Sequence, residues 1–132
     1  CEVFLSYLAD RYVCKHRSYW YAQEKRPPSP FLCTYMGRQD TGRGRPFRFI
    51  MNHSRATATN VYLMLYPKPA LAKVLLDQPE LLKEVWQALD CISDRALMGE
   101  GRVYGGGLHK LDPKELGNVI SVRIIEVLRN NQ

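Results

Sequence analysis

A chain of 132 residues, 45% hydrophobic and 24% charged, is long enough to bury one core without disulfides or metal and too apolar to stay unfolded. No apolar run approaches the roughly 20 residues of a membrane helix, and no signal-peptide pattern is present. The expectation is therefore one domain over residues 1–132, cytoplasmic and without a membrane partner. The net charge is +6, and its placement says more than its size.

Residues 11–48 carry nine basic side chains against Glu24 and Asp40, while the rest of the chain sums to −1. Seven of the nine are Arg, whose planar fork matches phosphates and guanine edges. Such a block repels itself unless an anion is near, so it reads as a surface facing a polyanion rather than a solvated loop face.

In chain order, residues 1–14 (CEVFLSYLADRYVC) place Val3, Phe4, Leu8 and Tyr12 at helical spacings, with strand still open. The chain opens on Cys1 rather than Met, already apolar, which reads as a fragment of a longer protein. KHRSYWYAQEKRPPSP then interleaves Lys15, His16 and Arg17 with Tyr19, Trp20 and Tyr21. Cations fix phosphates and aromatic faces stack on bases or sugars; the competing reading puts Trp20 and a Tyr in the core. The prolines at 27, 28 and 30 exclude helix and launch FLCTYMGR as a buried strand. QDTGRG is a loop. PFRFIMNHS alternates Phe47, Phe49 and Met51 with Arg48, Ile50 and Asn52, a strand with a basic side chain on its outer face. NVYLMLYP is a third strand, ended by Pro67.

The second half is helical. PALAKVLL predicts a short helix. DQPELLKEVWQALDCISDRAL predicts one long helix, capped by Asp77 and Glu80, with Leu82, Val85, Leu89, Ile92 and Ala96 as its core stripe and Trp86 beside them. RVYGGGLHKLDPKELGNV predicts a glycine-rich strand or turn entering a short helix. Asp112 and Glu115 form its capping box, Pro113 takes its first position and Gly117 stops it. The fold class is α+β, a small mixed or antiparallel sheet from the first half packed by helices from the second.

Nucleotide and catalytic signatures are missing. Gly105–Gly107 lack the Lys and Ser or Thr of a phosphate loop, and Lys110 stands where a dinucleotide fingerprint needs Gly. Cys1, Cys14, Cys33 and Cys91 are unpaired in spacing, which argues for reduced thiols and no metal. His16, His53 and His109 are scattered, so no catalytic residue is assigned. A Cys–His hydrolase using Cys14 or Cys33 with His53 is the third-ranked alternative. Around Arg45, Arg48 and Arg55, the side chains of Asn52, His53, Ser54, Thr57, Thr59 and Asn60 are suited to base or phosphate contacts; Ser54, Thr57 and Asn60 could equally satisfy turn backbones.

RSYWYAQEKRPPSPFLCTYMGR, PFRFIMNHSRATATNVYLMLYP and RVYGGGLHKLDPKELGNV, in that order, resemble the C-terminal target-recognition region of bacterial adenine-specific DNA methyltransferases of restriction–modification systems. The resemblance covers roughly residues 11–122. It implies duplex DNA as partner, with contacts from Arg17, Tyr19, Trp20, Tyr21, Arg38, Arg43, Arg45, Arg48, Asn52, His53, Ser54, Arg55 and Lys110. It also implies an N-terminal methyl-transfer domain of the same protein that binds S-adenosylmethionine. The Asn-Pro-Pro-Tyr tetrapeptide and the cofactor's glycine motif are not in this sequence, so no cofactor is expected on this chain and it is not expected to methylate alone. Losing Arg45 and Arg48 together is expected to weaken DNA binding. The alternatives are an RNA-binding module and a protein-interaction domain with a basic face.

Overall fold

The computed structural model describes residues 12–19, 26–39, 44–119 and 121–130. Of the segment 1–14, only a helical turn α1 (Tyr12–Lys15) reaches into the described residues. The prolines before residue 31 deliver the chain extended into β1 (Phe31–Thr34), where Phe31 and Cys33 turn inward and Leu32 and Thr34 outward. Buried Ser29 anchors this entry, its hydroxyl donating to the Phe31 carbonyl at 3.0 Å. β3 (Phe49–Met51) and β4 (Tyr62–Leu65) flank β1, both antiparallel, in the order β3-β1-β4. The register pairs Phe31 with Met51 and Leu65, and Cys33 with Phe49 and Leu63, so one face of this sheet is apolar throughout.

The run FLCTYMGR is two strands rather than one. After Tyr35 the chain leaves the first sheet and becomes β2 (Met36–Arg38) of a second. The bend is held on both sides: Tyr35 N–H donates to the Val61 carbonyl, and the Leu111 N–H donates to the Tyr35 carbonyl. The second sheet runs β2-β6-β5, taking β5 (Arg102–Tyr104) and β6 (Leu108–Lys110) from the second half of the sequence. The α+β class therefore holds, with two small antiparallel sheets among the described residues. The glycines Gly105–Gly107 form the tight turn between β5 and β6. Gly106 and Gly107 sit at φ 74° and 70°, the left-handed region that side chains resist. At Gly37 on β2 a Cβ would fall 1.8 Å from the Pro46 carbonyl oxygen, so the loop before β3 packs directly on the strand backbone.

PALAKVLL folds as α2 (Pro69–Asp77), with Pro69 in its first turn. The long helix expected next is broken. α3 (Leu81–Asp90) ends at Cys91, and α4 (Asp94–Glu100) starts afresh with Ser93 as its cap, the hydroxyl accepting from Ala96 N–H at 3.2 Å. Asp77 is the last residue of α2 rather than a cap, and Glu80 makes no side-chain cap bond. The break also changes which residues face inward. Val85 and Ile92 are buried as the periodicity demands, but Leu97 replaces Ala96, which is exposed. α5 (Pro113–Asn118) forms where expected, with the Glu115 carboxylate accepting the Asp112 N–H at 2.8 Å, and it runs one residue past Gly117. α6 (Val122–Asn130) lies against α3.

One cluster of the core joins Cys33, Phe47, Phe49, Ile92, Leu97 and Leu111; another joins Phe31, Leu75, Leu81 and Val85. Leu65, Trp86 and Leu89 touch both. Trp86 also donates its indole N–H to the Phe49 carbonyl at 3.0 Å, tying α3 to β3. Burial of Phe47 and Phe49 contributes about 2 kcal/mol each.

Candidate nucleic-acid interface

The expected contact residues fall into groups with different surroundings. Arg17, Arg38, Arg48 and Arg55 are exposed and form no ion pair among the described residues. Arg48 stands beside the outer face of the first sheet, where its N–H donates to the Thr34 hydroxyl at 2.9 Å. Arg38 is on β2 of the second sheet, at the end nearest the glycine turn. Arg17 and Tyr19 follow α1, and Tyr19 is 64% exposed. Trp20, Tyr21 and Arg43 lie outside the described residues.

Arg45 has a different job. Its Nε donates to Asp94 Oδ1 at 2.8 Å, and its Nη1 to the Asp90 carbonyl at 2.6 Å and Asp90 Oδ1 at 3.1 Å. Its Nη2 donates to the Ile92 carbonyl. The guanidinium thus fills the joint between α3 and α4, satisfying carbonyls that a helix end leaves open and placing a cation where the macrodipole is negative. These bonds brace the break at residues 91–93 and separate Arg45 from Arg48, which the sequence had grouped together.

The polar loop after β3 is similarly divided. Asn52 donates to the Ser29 and Ala56 carbonyls at 3.0 and 3.1 Å, and its Oδ1 accepts from the Ser54 N–H and hydroxyl. Ser54 Oγ also accepts from Ala56 N–H, and Thr57 donates to the Arg26 carbonyl. For Ser54 and Thr57, the turn-bracing alternative is what the fold uses. Both amide groups of Asn52 are likewise occupied, and the exposed polar side chains of this loop that these bonds do not engage are His53, Arg55, Thr59 and Asn60.

Lys110 belongs to a compact network at the end of the second sheet. Its Nζ lies 3.2 Å from Asp112 Oδ1 and 5.0 Å over the Tyr35 ring. Tyr35 donates its hydroxyl to Asp112 at 2.9 Å, and Arg102 pairs with Glu115 at 2.7 Å and Asp112 at 3.5 Å. The Tyr35 hydroxyl, then Lys110 and Arg102, hold the Asp112 carboxyl below its ordinary range; Tyr35 and Asp112 push the Lys110 ammonium up. The charge of Lys110 is therefore matched within the fold.

Among the described residues no hydrogen bond joins a thiol to a histidine; Cys1 and the Cys14 side chain lie outside the described ones. Burial pushes the Cys33 thiol up to about 12, against the opposing field of Arg45, so it is no nucleophile at neutral pH. No cluster of metal-ligating side chains occurs among the described residues. A groove of about 520 Å³ runs along the outer edge of β4, lined largely by apolar and aromatic side chains such as Tyr62, Met64, Tyr66, Leu116 and Ile124. Val103 and Tyr104, left aside in the sequence reading, are 64% and 46% exposed on β5.

The α+β scaffold thus holds Arg38 on β2, Arg48 just before β3 and Arg55 on a braced loop exposed and without an ion pair among the described residues, a locally positive surface. The chain matches, over residues 5–131, the family described as the C-terminal domain of the Type II methyltransferase M.Eco57I, and it belongs to that family. It is also 32% identical over 105 residues to the Type II methyltransferase M.XamI of Xanthomonas campestris pv. amaranthicola. That alignment covers 80% of this chain but only 17% of the relative's length. No solved structure matches.

Proposed function

We propose that this chain is the target-recognition domain of an adenine-specific DNA methyltransferase of restriction–modification type. In this reading it grips duplex DNA, while a separate N-terminal domain of the same protein binds S-adenosylmethionine and transfers its methyl group to an adenine amino group. The target adenine would have to leave the helix stack to be reached, so the surrounding duplex must be held in place. The observation that carries the reading is that Arg48 and Arg55 are exposed and form no ion pair among the described residues, on a chain of this family. An exposed Arg without an ion-pair partner serves phosphates and guanine edges well, because no internal carboxylate competes for its donors. Arg17, Arg38, Tyr19 and His53 are further exposed candidates; Trp20, Tyr21 and Arg43 remain candidates from the sequence alone. Arg45 is taken up by the joint between α3 and α4, Asn52 and Ser54 brace the loop that carries Arg55, and Lys110 is held by Asp112.

The test is binding to labelled duplex DNA, single-stranded DNA and RNA across a salt series. Preference for duplex with a steep salt dependence is expected. Changing Arg48 and Arg55 together to Ala should weaken binding and flatten the salt slope by about two, roughly one per lost phosphate contact. A preference for RNA would favour the module of the other nucleic-acid class, and no affinity at low salt would move the basic surface to an acidic protein.

A further inference from the structure

The second sheet ends in a row that the fold assembles from three separate strands. Arg38 of β2 lies opposite Leu108 of β6, and Leu108 lies opposite Tyr104 of β5. Residues directly opposite in antiparallel strands share a face, so Arg38 and Tyr104 flank Leu108 on one face, each about 5 Å of strand spacing away. The row abuts the turn Gly105–Gly107, whose three glycines are exposed. Arg38 Nη2 lies 4.0 Å from where a Cβ on Gly106 would sit. β5 is an edge strand exposed at every residue, and Val103 on its opposite face is also open.

The charges around this row are unequal. Arg102 and Lys110, on the same face, are matched by Glu115 and Asp112. Arg38 forms no ion pair among the described residues. An exposed aromatic, a cation without an acid partner among those residues and a bare backbone tip therefore stand together. A protein partner gains little from three glycines, which offer no side chain to pack. A phosphate backbone gains close approach, because no Cβ holds it off.

We propose that the tip of this sheet is a DNA-contacting element, in which Arg38 takes a backbone phosphate and Tyr104 packs its ring against a sugar or base in the adjoining groove. The inference rests on the reading of the chain as a DNA-recognition domain and adds a second contact, distinct from Arg48 and Arg55. Tyr104 gives ring contact and Arg38 gives charge, so their removal has different signatures.

The experiment compares Tyr104→Ala, Tyr104→Phe, Arg38→Ala and the Arg48/Arg55 double Ala variant for duplex binding over a salt series. Thermal melting confirms folding, and sedimentation measures the association state of each. Tyr104→Ala should weaken binding about tenfold with little change in salt slope, and Tyr104→Phe should retain most of the affinity. Arg38→Ala should lower the slope by about one. If the Arg48/Arg55 variant loses affinity while Tyr104→Ala and Arg38→Ala bind as the parent does, the sheet tip is not a contact and the recognition reading stands. If the unaltered chain binds no DNA at low salt, both fall. If the chain self-associates through β5 and Tyr104→Ala abolishes only that, the edge serves a protein contact and the proposal is overturned.

Discussion

Two arginines three residues apart show how far a side chain's role depends on its neighbours. Arg45 spans Asp90, Ile92 and Asp94, whereas Arg48 meets no acid among the described residues. Arg45→Ala leaves carbonyls at a helix end and two carboxylates without their donor, and charged hydrogen bonds of this kind are worth about 2 kcal/mol. Urea unfolding should show that loss for Arg45→Ala, while Arg48→Ala stays within about 0.5 kcal/mol of the parent; equal stabilities would deny Arg45 its role in the joint. Asp112 gives a prediction in pH. Its folded pKa lies below the ordinary value, so between the two values the unfolded chain binds more protons. The stability it contributes is complete above about pH 4 and is lost as pH falls through the lower folded value. Asp112→Asn should therefore lose less melting temperature than the parent between pH 5 and pH 3. An identical acid loss in both proteins would show that the network with Tyr35 and Lys110 does not favour the ionised carboxylate.

At the scale of elements, the joint between α3 and α4 and the bend between β1 and β2 decide where the surface groups point. Ser93 starts α4 in a new register, which brings Leu97 into the core and turns Ala96 out. The bend at Tyr35 moves β2 into a different sheet, where it meets β6 and brings Arg38 beside the glycine turn. That arrangement depends on Gly37, since the Pro46 carbonyl occupies the space a side chain would need. Because the obstacle is backbone, it cannot swing aside. Gly37→Ala should cost about 3 kcal/mol, the upper range for overpacking, and should shift the β2–β6 pairing. Hydrogen exchange at Gly37, His109 and Leu111 would report it, and unchanged protection would mean that the loop before β3 yields easily.

For the whole molecule, the two sheets divide the work. The first carries the core through Phe31, Cys33 and Phe49 and shows Arg48 outward; the second is small, open at β5, and tied to α5 by the pairs among Arg102, Lys110, Asp112 and Glu115. A binding surface spread over both would depend on their relative placement, which Leu111 helps fix by standing fully buried between β6 and α5. Affinity for DNA should thus fall with loss of the second sheet's anchorage as well as with loss of single cations.

The sequence by itself determined the elements whose causes are local. The prolines before residue 31 fixed the entry to β1, alternation at Phe47, Arg48 and Phe49 oriented the approach to β3, and Asp112, Pro113 and Glu115 started α5. It also carried the basic bias, because charge is additive along a chain. Only the tertiary structure decided which cations remain unpaired. Arg45 finds its acids 45 and 49 residues away and Lys110 is held in a corner that Tyr35 completes, pairings set by packing over long separations, which no local pattern records. The same reason hid the second sheet: three-residue strands have too little periodicity to be legible, and they exist because β2, β5 and β6 find one another.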